Sequence, residues 1–177
     1  EVTMLHAPAD EQLVDVQPKA GGMRAFVTLK MMTDEGIEGI GVTFAPGQGV
    51  SPLAPALASV VEALCGIAEG QDPMQIESVM QDLRAKTGGS GPGGLLTLAM
   101  AAVDMALWDI KGKALNQSVS SLLGGYRKRV PTYASGALMR AMNLEQLAEI
   151  GPALVAKGFK QMKSQMGAED TPAKEVL

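Results

Sequence analysis

Apolar and polar side chains alternate with the period of a β-strand in the first part of the chain. Over residues 23–32 the two alternating sets are Val27, Leu29 and Met31 on one side and Phe26, Thr28 and Lys30 on the other. Successive side chains on a strand project to opposite faces, so this pattern predicts a strand, and a turn at 33–36 joins it to another at 37–44. Residues 1–7 predict a further strand, and residues 9–22, rich in Pro, Gly and charge, predict a mobile loop.

Helical spacing of apolar residues replaces this alternation further along the chain. Ser51-Pro52 and Asp72-Pro73 each combine a capping residue with a proline, and they predict helices that reach about residues 68 and 86. A third helix is predicted over residues 95–114, where a nearly unbroken apolar composition indicates a central, buried position.

Strand and helix signals alternate in the C-terminal part of the chain. Residues 129–136 predict a strand, Asn143 caps a helix that ends at Gly158, and residues 158–167 predict a second strand. Thr171-Pro172 then predicts another helix. This order is typical of parallel βα units.

The composition describes a mildly acidic globular protein of 177 residues, 46% hydrophobic, with a net charge of −4. Its one tight basic group is 127–129, so we expect no nucleic-acid partner. No stretch approaches about 18 uninterrupted apolar residues, so we expect no membrane partner. The single cysteine, Cys65, cannot form an internal disulfide, which favours a cytoplasmic location, and its apolar neighbours predict a buried, inert thiol.

Two features could carry chemistry but have structural explanations. Gly89, Gly91 and Gly94 match a dinucleotide-binding fingerprint, yet that fingerprint follows a strand and here a helix is predicted before it. We interpret the glycines as a helix-to-helix loop. On the third helix, Asp104 and Asp109 either act as acid or base, or anchor neighbouring backbone and basic groups.

Lys163 and Gln165 form the candidate catalytic pair. They stand two apart on a predicted strand, so both side chains would project to the same face and into whatever cavity the strand lines.

Several segments, taken in order, resemble the mandelate racemase and muconate lactonizing branch of the enolase superfamily: residues 33–41, 101–115, 122–125, 130–136 and 158–167. The resemblance implies an α+β capping domain at 1–125, with a three-stranded antiparallel sheet and then helices. The first strands of a truncated (β/α)-barrel follow at 126–177. It also implies bound Mg²⁺ and removal of the proton alpha to the carboxylate of a small substrate, with an enediolate that the metal stabilises.

In that family the second barrel strand often ends in Lys-x-Lys, where the first lysine polarises the substrate carboxylate and the second is the base. Lys163 matches the first position, whereas Gln165 stands at the second, and an amide cannot accept a proton at neutral pH. Elimination can use a single base elsewhere. We therefore expect dehydration of an acid sugar, with Gln165 hydrogen-bonding a substrate hydroxyl or carboxylate; a racemase, epimerase or cycloisomerase is the alternative.

The resemblance also implies substrate contacts in two capping-domain loops, 13–22 and 44–49, and at the exit of the first barrel strand. The candidate residues are Val16, Phe44 and Ser135.

The number of residues available for a barrel is small. A complete barrel takes roughly 200 to 250 residues, whereas residues 129–177 number 49. We expect the Mg²⁺ ligands beyond Leu177, a structural or surface role for His6, and no activity from this chain alone. The missing initiator methionine suggests a trimmed chain, and we expect the intact protein to be a homo-oligomer. The remaining alternative is a non-catalytic module whose exposed apolar surface binds a partner.

Overall fold

The computed structural model describes residues 1–8, 12–19, 21–46, 49–91, 93–140 and 142–165. The chain forms two compact units. Glu1–Ala7 and Met23–Tyr126 make the first unit, and Pro8–Gly22 and Arg127–Leu177 make the second. The predicted helix at 171–172 lies outside the described residues.

A three-stranded antiparallel sheet opens the first unit, as the alternating sequence predicts. Its strands, in spatial order, are β1 (Val2–Pro8), β2 (Met23–Met32) and β3 (Glu38–Thr43). β2 has the predicted bounds because its alternation is unbroken, with Ala25, Val27 and Leu29 buried on one face.

In the described part of the first unit the α-helices are α1 (Ala54–Ala68), α2 (Ile76–Thr87), α3 (Gly94–Ala114) and the short α4 (Val119–Leu122). α3 is the central helix, as predicted, and it contacts β2, β3, α1, α2 and α4. Its buried side chains join those of the sheet, α1 and α2 in one apolar core. The α+β arrangement predicted for this part of the chain is confirmed.

The predicted starts of α1 and α2 are wrong by a few residues. Ser51 forms a turn ahead of α1, where its Oγ accepts the Leu53 N–H and its carbonyl accepts the Ala54 N–H. The proline in the first turn of α1 is therefore Pro55 and not Pro52. Asp72 likewise accepts the Met74 N–H at 2.8 Å in a turn that precedes α2. A polar residue followed by proline therefore marks a turn leading into each helix.

The glycine run connects two helices. α2 ends at Thr87, a single 3₁₀ turn follows at Gly88–Ser90, and α3 begins at Gly94. Because a helix precedes the glycines, they lack the strand that dinucleotide binding requires. The interpretation as a helix-to-helix loop is confirmed.

The second unit contains a parallel strand pair, β4 (Ala134–Leu138) and β5 (Met162–Ser164), joined by α5 (Leu144–Ala156). This confirms the predicted βα order. The strand predicted over 129–136 is wrong in its bounds, because β4 begins at Ala134, where pairing with β5 starts, and continues to Leu138. The strand predicted over 158–167 is also too long: β5 has three residues, and 166–167 lie outside the described part of the chain.

α5 begins and ends where the sequence predicts. Asn143 accepts the Gln146 N–H while the Gln146 side chain accepts the Asn143 N–H, a capping box that satisfies two free donors. Gly158, with φ of 103°, ends the helix. The unit's buried core consists of Ala134, Ala137, Ile150 and Leu154.

Candidate functional site

Lys163 lies on the face of β5 that is turned away from the core. Its neighbour Met162 is half-buried and packs against the core of the second unit. Successive side chains alternate between faces, so Lys163 projects to the other side, where it is exposed. Lys163 also lines an open cavity of about 650 Å³, together with Tyr133, Gln161, Met162 and Ser164. Because Met162 and Ser164 line it too, the cavity is not confined to one face of β5. Lys163 and Tyr133 are therefore both among the residues that line this cavity.

Gln165 follows the last residue of β5. Its backbone N–H donates to the Leu138 carbonyl at 3.0 Å, which continues the pairing with β4, and the residue is exposed. Among the described residues, the cavity lining includes Lys163 but not Gln165. The shared orientation of the two side chains stays a prediction.

β4 contains an irregularity next to the cavity. Ala134 pairs with Met162 and Leu138 with Ser164, so β4 has three residues between these pairs where β5 has one. Gly136, with φ of 89°, adopts the left-handed conformation that such a bulge uses. Ala134 and Ala137 can consequently both face the core although they stand three apart.

Ser135 lies inside β4 and not at its exit, so that part of the prediction is wrong. It is the second residue of the strand, which ends at Leu138, because the bulge and the pairing with β5 carry the strand beyond residue 136. Ser135 is exposed while Ala134 is buried, which puts its side chain on the face that Lys163 shares.

The described part of the loop at 12–19 is bonded to this same unit. Leu13 and Val14 pack against the second core, and Val16 is 48% exposed. Gln17 is buried and donates through Nε2 to the Gly136 carbonyl at 3.2 Å. Sequence reasoning missed Gln17, since one polar residue in an irregular segment has no periodicity to mark it.

Phe44, the remaining candidate contact, belongs to the first unit. It follows β3, is 38% exposed, and stacks in a tilted arrangement on Phe26 with ring centroids 5.8 Å apart. The Arg24 guanidinium lies 5.1 Å from the centroid of its ring, a cation–π contact. Phe44 is thus held by the sheet.

Asp109 anchors backbone, as one of its two interpretations requires. Its carboxylate accepts the Lys113 ammonium at 2.7 Å and the Ile40 N–H at 2.9 Å. The hydrogen bond from Lys113 lowers the pKa of Asp109, and the backbone hydrogen bond from Ile40 lowers it further. Partial burial raises the pKa but is outweighed. A carboxylate held ionised by these partners is suited to structure and not to proton transfer.

Asp104 has a different environment on the same helix. It lines a groove of about 620 Å³ between α2 and α3, together with Glu77, Arg84 and Trp108 among others. Burial raises the pKa of Asp104, Glu77 adds to the rise, and Arg84 opposes it. Its two interpretations stay open.

No group of three His, Cys, Asp or Glu side chains in the described ranges is placed to hold a metal ion. Those residues therefore do not by themselves fit a magnesium site. His6 is exposed on β1. Cys65 is half-buried, and this burial raises the pKa of its thiol, in keeping with an inert side chain.

Among the helices that the structure describes, none combines the length and apolar character needed to cross a bilayer.

The fold and sequence match known proteins. Residues 2–124 match the model of the mandelate racemase / muconate lactonizing enzyme N-terminal domain. A D-galactarolactone cycloisomerase of Agrobacterium fabrum is 35% identical over 148 residues, covering 81% of this chain and 37% of the relative. A D-galactonate dehydratase of Xanthomonas axonopodis pv. citri is 42% identical over 106 residues, which cover 59% of this chain and 26% of the relative. The crystal structure of a Streptomyces coelicolor racemase with bound magnesium matches with a TM-score of 0.83 and 29% identity. The match covers 99% of this chain and 48% of the racemase.

The fold of this chain, a three-stranded sheet with helices followed by a parallel βα unit, matches that of the racemase structure over 99% of the chain. The chain belongs to the mandelate racemase and muconate lactonizing enzyme family of the enolase superfamily. It spans 37% of the cycloisomerase, 26% of the dehydratase and 48% of the racemase.

Proposed function

We propose that the protein carrying this chain is an acid-sugar dehydratase of the enolase superfamily. The observation that supports this most directly is the position of Lys163, exposed on the face of β5 opposite the core and lining the cavity beside Tyr133. The D-galactonate dehydratase among the relatives supports the same substrate class.

In this proposal Lys163 binds the substrate carboxylate. Removing an alpha proton turns that carboxylate toward a dianionic enediolate, and a nearby ammonium stabilises the developing charge. Gln165, immediately after β5, donates its amide to a substrate hydroxyl or carboxylate oxygen and cannot act as the base.

The dehydration breaks two bonds of the substrate. A base outside the described residues takes the alpha proton, and the hydroxyl on the adjacent carbon leaves with a returned proton as water. The resulting enol becomes a 2-keto acid. If residues outside the described part of the chain hold a Mg²⁺ ion, it would supply further charge neutralisation at the substrate carboxylate.

Cycloisomerisation is the second candidate, because a relative that is 35% identical is a D-galactarolactone cycloisomerase. It shares removal of the alpha proton but retains the elements of water. A product with the mass of the substrate would exclude dehydration, which lowers the mass by one water. A cyclic product would then distinguish cycloisomerisation from racemisation or epimerisation.

The test is a screen of hexonic and hexaric acids with Mg²⁺ on the protein that carries this chain, scored by 2-keto acid formation and product mass. Replacement Lys163→Met should lower kcat/KM by about 10²- to 10⁴-fold, since it removes a charged contact to the reacting carboxylate. Lys160→Met, which removes an exposed lysine three residues earlier, is the matched control and should stay within about twofold.

Two results would contradict the proposal. One is a screen in which no sugar acid is consumed. The other is a Lys163→Met protein that keeps full kcat/KM, because the ammonium would then have no part in the reaction.

A further inference from the structure

The side of the three-stranded sheet that is turned away from α3 carries exposed apolar side chains. Alternate residues of β2 and β3 are buried on the side of the core, so the residues between them project outward. In β3 these include Ile40 and Val42, which are 52% and 42% exposed, and Phe44 follows them. The Phe44 ring lies 5.8 Å from that of Phe26, an outward residue of β2. An antiparallel sheet with one solvated face is normally polar on that face, so these residues indicate a contact surface.

β1 extends this surface by one more strand. The Glu1 nitrogen donates to the Lys30 carbonyl and the Lys30 N–H donates to the Glu1 carbonyl, both at 2.8 Å, so the two residues lie directly opposite each other. Opposite residues project to the same side of a sheet, whereas Val2 packs on the core. Leu5 therefore projects outward with Glu1, and it is 51% exposed. The apolar residues of this outer face are Leu5, Phe26, Ile40, Val42 and Phe44.

Charged side chains of opposite sign stand at the two ends of the outer face. Arg24 lies at the end where β2 begins. At the other end the turn between β2 and β3 carries Asp34 and Glu35, both exposed, and Glu38 pairs with Lys30 at 3.1 Å. That end therefore keeps an acidic excess. The two ends are about 26 Å apart, the span of β2 from residue 24 to residue 32, so Arg24 cannot reach the acidic end of its own sheet.

A surface with an apolar centre, one basic end and one acidic end is complementary to itself. In a two-fold dimer the same surface of both copies meets. When the strands of the two copies run antiparallel, the apolar centres meet and the basic end of each sheet faces the acidic end of the other. When they run parallel, Arg24 faces its own copy and the two acidic ends repel each other. Charge therefore selects the antiparallel arrangement.

We propose that the outer face is a contact between two copies of this chain, which pack sheet against sheet with their strands antiparallel. The occupant is a second copy because the face is complementary to itself in apolar character and in charge. Three strands give it a width of only about 14 Å. The face is therefore smaller than a standard interface of about 800 Å² per partner, and by itself it should give a Kd on the order of micromolar. This inference is independent of the proposed function.

The test measures the mass of the protein that carries this chain by sedimentation velocity, from about 0.1 to 100 µM, since association depends on concentration. Wild type should be a dimer or a larger even-numbered oligomer. Val42 lies opposite Thr28, midway along β2 and thus at the centre of the outer face. Val42→Lys should raise the Kd of this contact by about 30-fold or more and halve the mass at low concentration. Met105→Lys, which changes an exposed apolar residue of α3, is the matched control and should leave the mass unchanged.

Two results of this measurement would overturn the proposal. One is a wild-type protein that stays monomeric at every concentration, as expected if another part of the same protein covers the outer face. The other is a Val42→Lys protein with the mass and the Kd of wild type, because the oligomer would then be held by a different surface.

Exchanging the charges tests the antiparallel arrangement, and it serves equally if Val42→Lys fails to fold. Arg24→Glu and Glu38→Lys each bring like charges together across the contact and should each raise the Kd about 10-fold. The double variant restores opposite charges between the copies and should return the Kd to within about threefold of wild type. Single variants with the Kd of wild type, or a double variant whose Kd rises by the product of the two single effects, would overturn the proposal.

Discussion

The carboxylate of Asp109 accepts the backbone N–H of Ile40 at 2.9 Å, across 69 residues of sequence. The same carboxylate pairs with Lys113 at 2.7 Å, and the Lys113 ammonium donates to the Glu38 carbonyl at 2.7 Å. The start of β3 is therefore bonded to α3 through one aspartate and one lysine. An exposed ion pair contributes little by itself, but here both members also bond backbone.

Replacing Asp109 with asparagine should destabilise the protein at pH 7 by about 1–2 kcal/mol, because a charge-assisted bond to backbone and an ion pair are lost. The lowered pKa of Asp109 means that the ionised form contributes stability above the ordinary carboxyl pKa of 3.8 and that this is lost as pH falls through the lowered value. Thermal unfolding should show the largest difference from wild type at neutral pH and none at the acid limit. Asp82→Asn, on the exposed face of α2, is the control and should leave stability unchanged.

Asp104→Asn should have the opposite sign, although it lies on the same helix. Burial and Glu77 raise the pKa of Asp104, so its ionised form is less favourable in the folded protein than in the unfolded chain. The stability that the protonated group contributes to folding is fully present below the ordinary pKa, and it is lost as the pH rises through the raised value. Asparagine removes that loss, and the melting temperature at pH 7 should rise by about 1–3 °C. A fall in melting temperature would show that the ionised carboxylate has a favourable partner.

Asn143→Ala should destabilise the second unit by about 1 kcal/mol, because it removes the side-chain acceptor that caps α5. Asn143→Asp keeps an acceptor at the same position and should restore most of the loss. Amide exchange at Gln146, whose N–H is bonded to Asn143 at 2.8 Å, reports the cap directly. Unchanged exchange at Gln146 in the alanine variant would show that the cap does not hold that amide.

Elements with a strong local pattern were predictable from the sequence. β2 has unbroken alternation along its whole length, and α5 has a cap at Asn143 and a stop at Gly158, so local chemistry decides their bounds. The start of α1 was misplaced because Pro52 and Pro55 both fit a helix start, and a turn at Ser51 selects the later one. The strand predicted over 129–136 is misplaced for another reason, since pairing with β5 sets the bounds of β4 at Ala134 and Leu138.

The candidate site was predictable only in part. Lys163 could be found because a strand exposes every second residue, and the structure puts it on a cavity. Tyr133 and Gln17 could not be found in this way. Tyr133 precedes β4, and Gln17 lies in an irregular segment distant in sequence, so neither residue belongs to a periodic pattern.

The close approach of α3 to β3 was equally invisible in the sequence, and Gly41 tests it. A Cβ on Gly41 would lie 1.9 Å from the Ala102 carbonyl oxygen, which is helix backbone and cannot swing aside. Gly41→Ala should therefore push α3 from the sheet and destabilise the protein by about 2–4 kcal/mol. Gly66→Ala, in α1 with nothing within 4 Å of the added carbon, should instead stabilise by about 0.5–1 kcal/mol, since alanine is the better helix former. Urea unfolding of the two variants measures both changes, and equal stabilities would contradict the tight contact between α3 and β3.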